Sequence, residues 1–191
     1  MRAAVVLAAG LSRRMGTDKL MLSVDGLPMY RHVLRLALTL HVDLRIVVTN
    51  NGRIAQEAET MGFTVVPSPR AAEGMGFSVA AGAAALGAAQ TAVFLNADQP
   101  FLRVEMVENL LEIGEESGKI VVPVVEGMPC SPCVFPHRFF QELSMLSGTQ
   151  GGKVVWKQHA EDTLLVPCAA EGFADVDTRE QYDRLDSISG I

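Results

Sequence analysis

Two short segments carry residue types that can act on phosphate groups. Residues 7–19 combine Gly10 with the cations Arg14 and Lys19, and a second segment begins at Asp98. Small residues let a backbone approach a ligand closely, while Arg and Lys supply the positive charge that a polyphosphate requires. A carboxylate such as Asp98 can hold Mg²⁺, which prefers oxygen ligands and often bridges to substrate phosphates. We therefore predict a nucleoside triphosphate site with Mg²⁺ as its cofactor.

The spacing within residues 7–19 differs from that of other phosphate-binding loops. Lys19 follows Gly16 by three residues and precedes Leu20, so the segment matches neither G-x-x-x-x-G-K-[ST] nor G-x-G-x-x-G. A basic connection between two strands is therefore the alternative interpretation, because Gly-rich turns after strands are common.

The acidic residues also allow two interpretations. Asp98 follows an apolar run, where it can hold a metal ion or stabilise the turn that Pro100 begins. Asp175 and Asp177 lie on one face of an extended segment, because side chains alternate along a strand. Asp177 with Glu180 is also typical of a helix N-cap and its partner. The capping and metal-binding roles of Asp177 are compatible.

Composition limits the classes of function. A chain of 191 residues, 49% hydrophobic and 20% charged, is long enough to form one domain with a buried core. The net charge of −6 argues against general binding of nucleic acid or of an anionic membrane. Three cysteines do not indicate a disulfide scaffold, and the apolar run after Met1 is too short for a leader or a membrane span. We expect a single cytoplasmic domain over residues 1–191.

Short β-like runs alternate with helix-like runs along the chain. This alternation predicts a three-layer α/β fold with a mostly parallel sheet, whose ligands bind at the carboxyl ends of the strands. Residues 8–19, 67–76 and 98–100 each follow a predicted strand, so we expect them at one edge of the sheet. The predicted strands are residues 2–7, 44–49, 63–66, 92–97, 120–125, 133–135 and 164–166. The predicted helices are residues 28–40, 51–61, 77–89, 104–116, 139–146, 154–159 and 178–185.

Three motifs resemble those of the MobA-like nucleotidyltransferases, and among these most closely the molybdenum cofactor cytidylyltransferases. The resemblance runs from the first strand to the last helix, and it implies a Rossmann-like α/β/α nucleotidyltransferase fold. The motifs are Leu7-Ala8-Ala9-Gly10-x-Ser12-x-Arg14-Met15-Gly16-x-x-Lys19, Asp98-Gln99-Pro100 and Asp175-x-Asp177-Thr178.

The resemblance implies roles for individual residues. Arg14 and Lys19 would hold the triphosphate and, with Asp98, form the catalytic set. Asp98 and Asp177 would hold Mg²⁺. Residues 73–78 resemble a loop that closes over the nucleotide, with Ser78 as a polar contact. The full set of nucleotide-binding residues implied is Leu7, Ala8, Ala9, Gly10, Ser12, Arg14, Lys19, Ser68, Gly74 and Ser78.

Fewer residues indicate which base the protein selects and where the acceptor binds. Ala9 precedes Gly10 at the place where the guanylyl-transferring relatives have a Gly-Gly-like pair. The methyl group of Ala9 would narrow the base pocket in favour of a pyrimidine. The sequence departs from the cytidylyltransferase pattern at residues 130–132, where the relatives have a Gly-His-Pro-like segment, and at residues 148–153. Both stretches fall within residues 101–191, which should bind the acceptor, while residues 1–100 should bind the nucleotide. The acceptor-binding residues that we infer are Cys130, Ser131, Pro132, Gly151 and Lys153.

Cys130 and Cys133 have the C-x-x-C spacing of a redox or metal pair. Two thiols are too few for a closed zinc site, and Cys168 is distant in sequence. The alternative interpretation, which we favour, is a turn cysteine followed by a buried strand cysteine.

Three functional hypotheses follow. The first is an Mg²⁺-dependent transfer of CMP from CTP to molybdopterin or the molybdenum cofactor, with release of pyrophosphate and a molybdoenzyme as the eventual recipient. The second is the same chemistry with another nucleotide or with a sugar, polyol or choline phosphate as acceptor. The third is a non-catalytic protein that delivers a cofactor to a partner, for which a metal-binding Asp98 would be unnecessary.

Overall fold

The computed structural model of the chain describes residues 1–10 and 18–173. Within these ranges, strands and helices alternate. The strands are β1 (Arg2–Leu7), β2 (Ser23–Val24), β3 (Leu27–Pro28), β4 (Leu44–Val48), β5 (Thr64–Val66), β6 (Thr91–Asn96), β7 (Ile120–Val125), β8 (Met128–Pro129), β9 (Cys133–Pro136) and β10 (Thr163–Pro167). The helices are α1 (Met29–Thr39), α2 (Gly52–Thr60), α3 (Met75–Ala84), α4 (Val104–Ser117), α5 (Phe140–Ser144) and α6 (Lys153–Gln158). No helix in the described ranges is long and apolar enough to cross a membrane.

The main sheet is mostly parallel. Its strand order is β10-β7-β9-β6-β1-β4-β5, and β8 pairs with β7. The central strand β1 is parallel to both β4 and β6, with Leu7 opposite Val48 on one side and Asn96 on the other. The carboxyl ends of β1, β4 and β6 therefore meet at one edge. Strand β9 is antiparallel to β6 and β7, so its amino end reaches that same edge.

Buried apolar residues cover both faces of the sheet. Successive residues of β1 alternate between the two cores, as the pleat requires, so Ala4 and Val6 face one core while Ala3 and Val5 face the other. Helices α1, α2 and α4 contribute to the first core, and α3, α5 and α6 to the second. The predicted α/β architecture, with a mostly parallel sheet between helices, is confirmed.

The segment between β1 and α1 contains elements that the sequence interpretation did not include. A 3-10 helix spans Lys19–Met21, and β2 and β3 form a hairpin. The turn of this hairpin is Asp25-Gly26, and both residues have positive φ, 46° and 78°. An Asp-Gly pair is a strong signal for such a turn, because two consecutive positive φ values are needed to match the twist of the strands.

Several predicted boundaries are corrected by the structure. Pro28 lies in β3 and forms the N-cap of α1 instead of its first turn, because its ψ of 140° is extended. Helix α3 begins at Met75 and ends at Ala84, not at residues 77 and 89. The loop predicted at residues 68–76 contains a 3-10 turn, Ala71–Glu73. The predicted helix at residues 178–185, together with Asp175, falls outside the described residues.

Candidate functional site

A cavity of about 350 Å³ opens at the carboxyl edge of the sheet. The segments that follow β1, β5 and β6 all contribute to its wall, as the sequence predicted from the position of each segment after a strand. We call this space the first cavity. It is lined by Leu7, Ala9, Gly10, Lys19, Leu20, Ala71, Ala72, Glu73, Gly74, Met75, Ser78, Asn96, Asp98 and Thr149.

Ala8 supports this cavity without lining it. Its amide donates to the Val48 carbonyl at 2.8 Å, and its own carbonyl accepts from Thr49 Oγ1 at 3.0 Å. These two bonds fix the chain to the end of β4. Ala9 and Gly10, the next two residues along the chain, line the cavity wall. The Ala8 amide is therefore already used within the fold.

Asp18 fixes the position of Lys19. Its Oδ1 accepts from the amide of Leu20 at 3.2 Å and so caps the 3-10 helix, while its Oδ2 accepts from Asn51 Nδ2 at 2.9 Å. This cap holds the backbone of Lys19 close to the start of α2, and Lys19 Nζ reaches Asp98 Oδ2 at 2.6 Å. The cation therefore points toward the end of β6.

Lys19 and Asp98 form an ion pair at the first cavity. Lys19 Nζ lies 2.6 Å from Asp98 Oδ2, and the two side chains are 15% and 21% exposed. Asp98 Oδ1 is buried and has no hydrogen-bond partner among the residues described. An unpaired buried carboxylate oxygen is costly, so this atom is suited to a ligand that brings positive charge.

The donor set around Asp98 fits a divalent cation that is shared with a ligand. Residues 1–10 and 18–173 contain no cluster of three or more His, Cys, Asp or Glu side chains that could enclose a metal by themselves. Mg²⁺ commonly needs only one or two carboxylates, with phosphate oxygens and waters completing its shell. Asp98, with its free Oδ1, meets this requirement. Arg14, Ser12 and Asp177 lie outside the described residues.

Ser68 and Ser78 hold the segment that follows β5. Ser68 is buried, and its backbone exchanges two hydrogen bonds with the side-chain amide of Asn50, at 2.9 and 2.6 Å. Ser78 Oγ donates to Ser68 Oγ at 3.4 Å. Ser78 lines the first cavity, whereas Ser68 lies behind it.

Two glycines allow this segment to pack directly on the loop before α6. A Cβ at Gly74 would lie 2.0 Å from the Gly148 carbonyl oxygen, and one at Gly76 would lie 2.5 Å from that of Gln150. The amide of Gly76 donates to the Gly148 carbonyl at 2.9 Å. Backbone contact at this distance excludes any side chain larger than hydrogen. The two loops are therefore joined by main-chain contacts.

Arg70 braces the same segment from outside. Its guanidinium donates to both carboxylate oxygens of Glu73, at 2.8 and 2.6 Å, and stacks 4.0 Å over the Phe77 ring. The hydrogen bond from Arg70 lowers the pKa of Glu73 below its ordinary value. Glu73 lines the first cavity as a carboxylate whose charge is already compensated.

A second cavity of about 390 Å³ adjoins the first. Four of the five residues inferred for the acceptor line it, and Pro132 does not. Leu7, Met75, Asn96 and Thr149 line both spaces, so residues from both halves of the sequence form each cavity. The second cavity is lined by Leu7, Met75, Val79, Phe94, Asn96, Pro129, Cys130, Ser131, Cys133, Phe135, Thr149, Gly151, Gly152, Lys153 and Trp156.

Gln99 connects the turn at the first cavity to a segment that lines the second cavity. Its side chain is buried, and Nε2 donates to the carbonyl of Ser131 at 3.1 Å. The turn that carries Asp98 is thereby fastened to the segment that lines the second cavity. The sequence motif Asp98-Gln99-Pro100 contained this residue, but only the contact reveals its role.

Each cysteine of the C-x-x-C segment donates a hydrogen bond to a backbone carbonyl. Cys130 Sγ donates to the Pro123 carbonyl and Cys133 Sγ to the Cys130 carbonyl, each at 3.5 Å. Burial raises the pKa of the Cys133 thiol to about 12. A thiol with so high a pKa is a poor nucleophile and metal ligand, which favours the turn-and-strand interpretation.

Asn96 and Thr149 were not singled out from the sequence as site residues. Asn96 ends β6 at the predicted binding edge, directly before Ala97-Asp98. Its position as a polar residue at the end of a mainly apolar strand could have identified it as a site residue. Thr149 had no comparable signal, because only the packing of its loop against residues 74–76 brings it to the site.

Known proteins match most of this chain. A model of the MobA-like NTP transferase domain matches residues 4–163. Purine catabolism protein PucB of Bacillus subtilis (strain 168) is 30% identical over 195 residues, which cover 95% of this chain and 94% of that protein.

Solved structures share the fold over nearly their whole length. Rv0371c from Mycobacterium tuberculosis H37Rv, in complex with manganese, is 26% identical, with a TM-score of 0.73 over 96% of this chain and 97% of that one. Molybdopterin-guanine dinucleotide biosynthesis protein A from Archaeoglobus fulgidus is 20% identical, with a TM-score of 0.68 over 98% of both chains. This second likeness concerns the fold alone.

Proposed function

The chain belongs to the MobA-like NTP transferase family, and we propose that it transfers CMP from CTP to molybdopterin or its molybdenum form. The single observation that carries the proposal is the ion pair of Lys19 and Asp98 beside two connected cavities. One cavity offers room for a nucleotide and the other for an acceptor. A cation and a carboxylate with a free oxygen stand on the wall of the first.

The reaction joins an acceptor phosphate to the nucleotide. An oxygen of the acceptor phosphate attacks the α-phosphorus, a new P–O bond forms, and the bond from that phosphorus to the bridging oxygen of the β-phosphate breaks. Pyrophosphate carries the electron pair away. A phosphate monoester is already anionic near neutral pH, so the acceptor needs no strong general base.

Asp98 would hold the divalent cation, and we propose Asp177 as a second ligand. Bound Mg²⁺ would supply charge neutralisation to phosphate oxygens. Lys19 would neutralise charge on the triphosphate, with Arg14 proposed beside it. Manganese in the structure of Rv0371c supports a divalent ion in this family.

Ala9 supports a pyrimidine base. The residue is 5% exposed, belongs to the second apolar core and forms part of the wall of the first cavity. A methyl group at this place removes space that a purine would use. Because the neighbouring Gly10 has no side chain, the backbone there can approach the nucleotide closely.

The second cavity supports an acceptor that carries a planar ring. Phe94, Phe135 and Trp156 give it aromatic walls, and Lys153 adds a cation that suits a phosphate. A sugar or polyol phosphate has several hydroxyl groups, and burying them against such walls would leave hydrogen bonds unmade. The pterin of molybdopterin has flat faces that can stack on aromatic side chains, while its polar edges can meet polar lining residues such as Ser131 and Lys153.

Pyrophosphate release tests the proposal. Purified protein is incubated with CTP, GTP, ATP or UTP, Mg²⁺ and a panel of acceptors that includes molybdopterin, the molybdenum cofactor and sugar, polyol and choline phosphates. We expect release with CTP and molybdopterin or its molybdenum form, and none with EDTA. Release with a polyol phosphate alone would favour the second hypothesis. Nucleotide and acceptor binding without any release would favour a carrier protein.

A further inference from the structure

The two cavities meet at a junction that a bond-forming reaction must use. Leu7, Met75, Asn96 and Thr149 line both spaces. The first two are apolar, so Asn96 and Thr149 are the shared residues with side-chain hydrogen-bonding groups. If nucleotide and acceptor occupy neighbouring cavities, the atoms that become bonded lie where the cavities join.

Asn96 holds a fixed position at this junction. It is the last residue of β6, in register with Leu7 of the central strand. The residue after it, Ala97, donates its amide to the Leu7 carbonyl at 3.1 Å, and the Asn96 carbonyl accepts from the amide of Gln99 at 3.3 Å. The backbone on both sides of the side chain is therefore tied to the sheet and to the turn that carries Asp98.

The side-chain amide of Asn96 makes no hydrogen bond with any residue that the structure describes, although the side chain is only partly exposed. Polar side chains in such positions usually have a partner. Thr149, by comparison, is exposed on a loop, so its hydroxyl is less firmly placed. The Asn96 amide is thus a donor on a firmly held backbone that lines both cavities.

We propose that the Asn96 amide donates a hydrogen bond to the phosphoryl group that is transferred. This inference rests on the proposed nucleotidyl transfer. As the α-phosphorus gains a bond to the acceptor oxygen and loses its bond to the pyrophosphate oxygen, negative charge is redistributed over its remaining oxygens. A fixed neutral donor stabilises that charge without the desolvation cost of another cation. Asn96 would thereby complement Lys19, which is paired with Asp98 on the wall of the first cavity.

Three variants and a control test the inference. N96L keeps the side-chain size but removes the donor, N96A removes the side chain, and N96S retains a shorter donor. N109A is the control, because Asn109 is exposed on α4 and lines neither cavity. We measure kcat and KM by pyrophosphate release, CTP affinity by calorimetry without acceptor, and thermal unfolding for every variant.

The inference predicts a loss in kcat that exceeds any loss in nucleotide binding. For N96L and N96A we expect kcat to fall about ten- to a hundredfold, as for a lost hydrogen bond to a charged group, while the Kd for CTP changes less than about threefold. N96S should recover part of the rate. Unchanged kcat in both N96L and N96A, with an active wild-type protein, would overturn the inference. Wild-type protein that releases no pyrophosphate with any acceptor would instead overturn the proposed function.

Discussion

Lys19 Nζ contacts Asp98 Oδ2 at 2.6 Å, across 79 residues of sequence. The contact joins the turn after β1 to the turn after β6, and it leaves Asp98 Oδ1 without a partner among the described residues. Lys19 can therefore act as a temporary counter-charge for Asp98. A cation bound at Asp98 would compete with Lys19 for the carboxylate and release the ammonium group toward phosphate.

Replacing Asp98 with Asn should remove metal-dependent turnover. The variant keeps the shape of the side chain but loses its charge, so we expect kcat for pyrophosphate release to fall at least about a hundredfold. Thermal unfolding is measured alongside, because the side chains of the pair are only 15% and 21% exposed and losing one charge can itself lower stability. The control is D162N, whose carboxylate pairs with Arg138 and lines neither cavity. Substantial activity in D98N would show that Asp98 does not hold the catalytic metal.

Replacing Lys19 with Met should have two opposite effects. The KM for the nucleotide should rise about ten- to a hundredfold, because a charge-assisted bond to the triphosphate is lost. Mn²⁺ should bind the nucleotide-free protein more tightly, because Asp98 no longer has a competing cation; electron paramagnetic resonance measures this affinity. K119M is the control, since Lys119 donates to the Glu161 carbonyl at 3.0 Å and lines neither cavity. Weaker Mn²⁺ binding in K19M would contradict the exchange of partners.

Replacing Ala9 with Gly should shift the base preference toward purines. Removing the methyl group widens the first cavity, so the ratio of kcat/KM for GTP to that for CTP should rise about tenfold. Thermal shifts with Mg²⁺ should likewise favour CTP over GTP in the wild-type protein and less so in the variant. A8G is the matched control, because Ala8 is also buried but does not line the cavity. An equal change in both variants would argue that Ala9 does not select the base.

Replacing Gly76 with Ala should separate the two loops at the site. The new Cβ would lie 2.5 Å from the Gln150 carbonyl oxygen, so one backbone must move, at a cost of about 1–3 kcal/mol in unfolding free energy. We expect the KM values for nucleotide and acceptor to rise together, because the loops line both cavities.

Gly52→Ala supplies the control for that change. Gly52 also lies in the first turn of a helix, but a Cβ there has no neighbour within 4 Å. This substitution should leave both KM values unchanged and stabilise the protein by about 0.4–1 kcal/mol. Thermal unfolding and steady-state kinetics test the pair. If the two variants have the same KM values and the same thermal stability, the contact between the loops has no role in substrate binding.

The thiol of Cys133 should resist alkylation at neutral pH. Because burial raises its pKa from 9.0 to about 12, the reactive thiolate forms only as the pH approaches that value. At pH 8 the thiolate fraction should be lower by about a thousandfold than for a thiol of ordinary pKa. Iodoacetamide labelling followed by peptide mass spectrometry measures the rate, with the unfolded protein as reference. Rapid labelling of the folded protein at pH 8 would contradict a buried, protonated thiol.

The sequence predicted the sheet and one edge of the site because those features depend on local patterns. Apolar runs such as β1 and β6 identify buried strands, and the residue after each run must then reach the carboxyl edge. That rule places Lys19 and Asp98 at the same edge, whereas their 2.6 Å contact was not predicted.

The rest depends on contacts between distant segments. No local pattern states that Gly74 lies against the Gly148 carbonyl, or that Thr149 thereby reaches the first cavity. The hairpin of β2 and β3 is different, because Asp25-Gly26 was a local signal that the interpretation passed over. Of the second cavity, the sequence indicated only residues 130–132 and 148–153, and its aromatic wall of Phe94, Phe135 and Trp156 was not predicted.

The reversed direction of β9 sets which segment of the chain lines the second cavity. Because β9 is antiparallel to β6 and β7, the chain returns to the functional edge through residues 126–132 before it enters the strand. Three of these residues line the second cavity, and none lines the first. Under the proposed function, substitutions in residues 126–132 should therefore alter the use of the acceptor more than the use of the nucleotide.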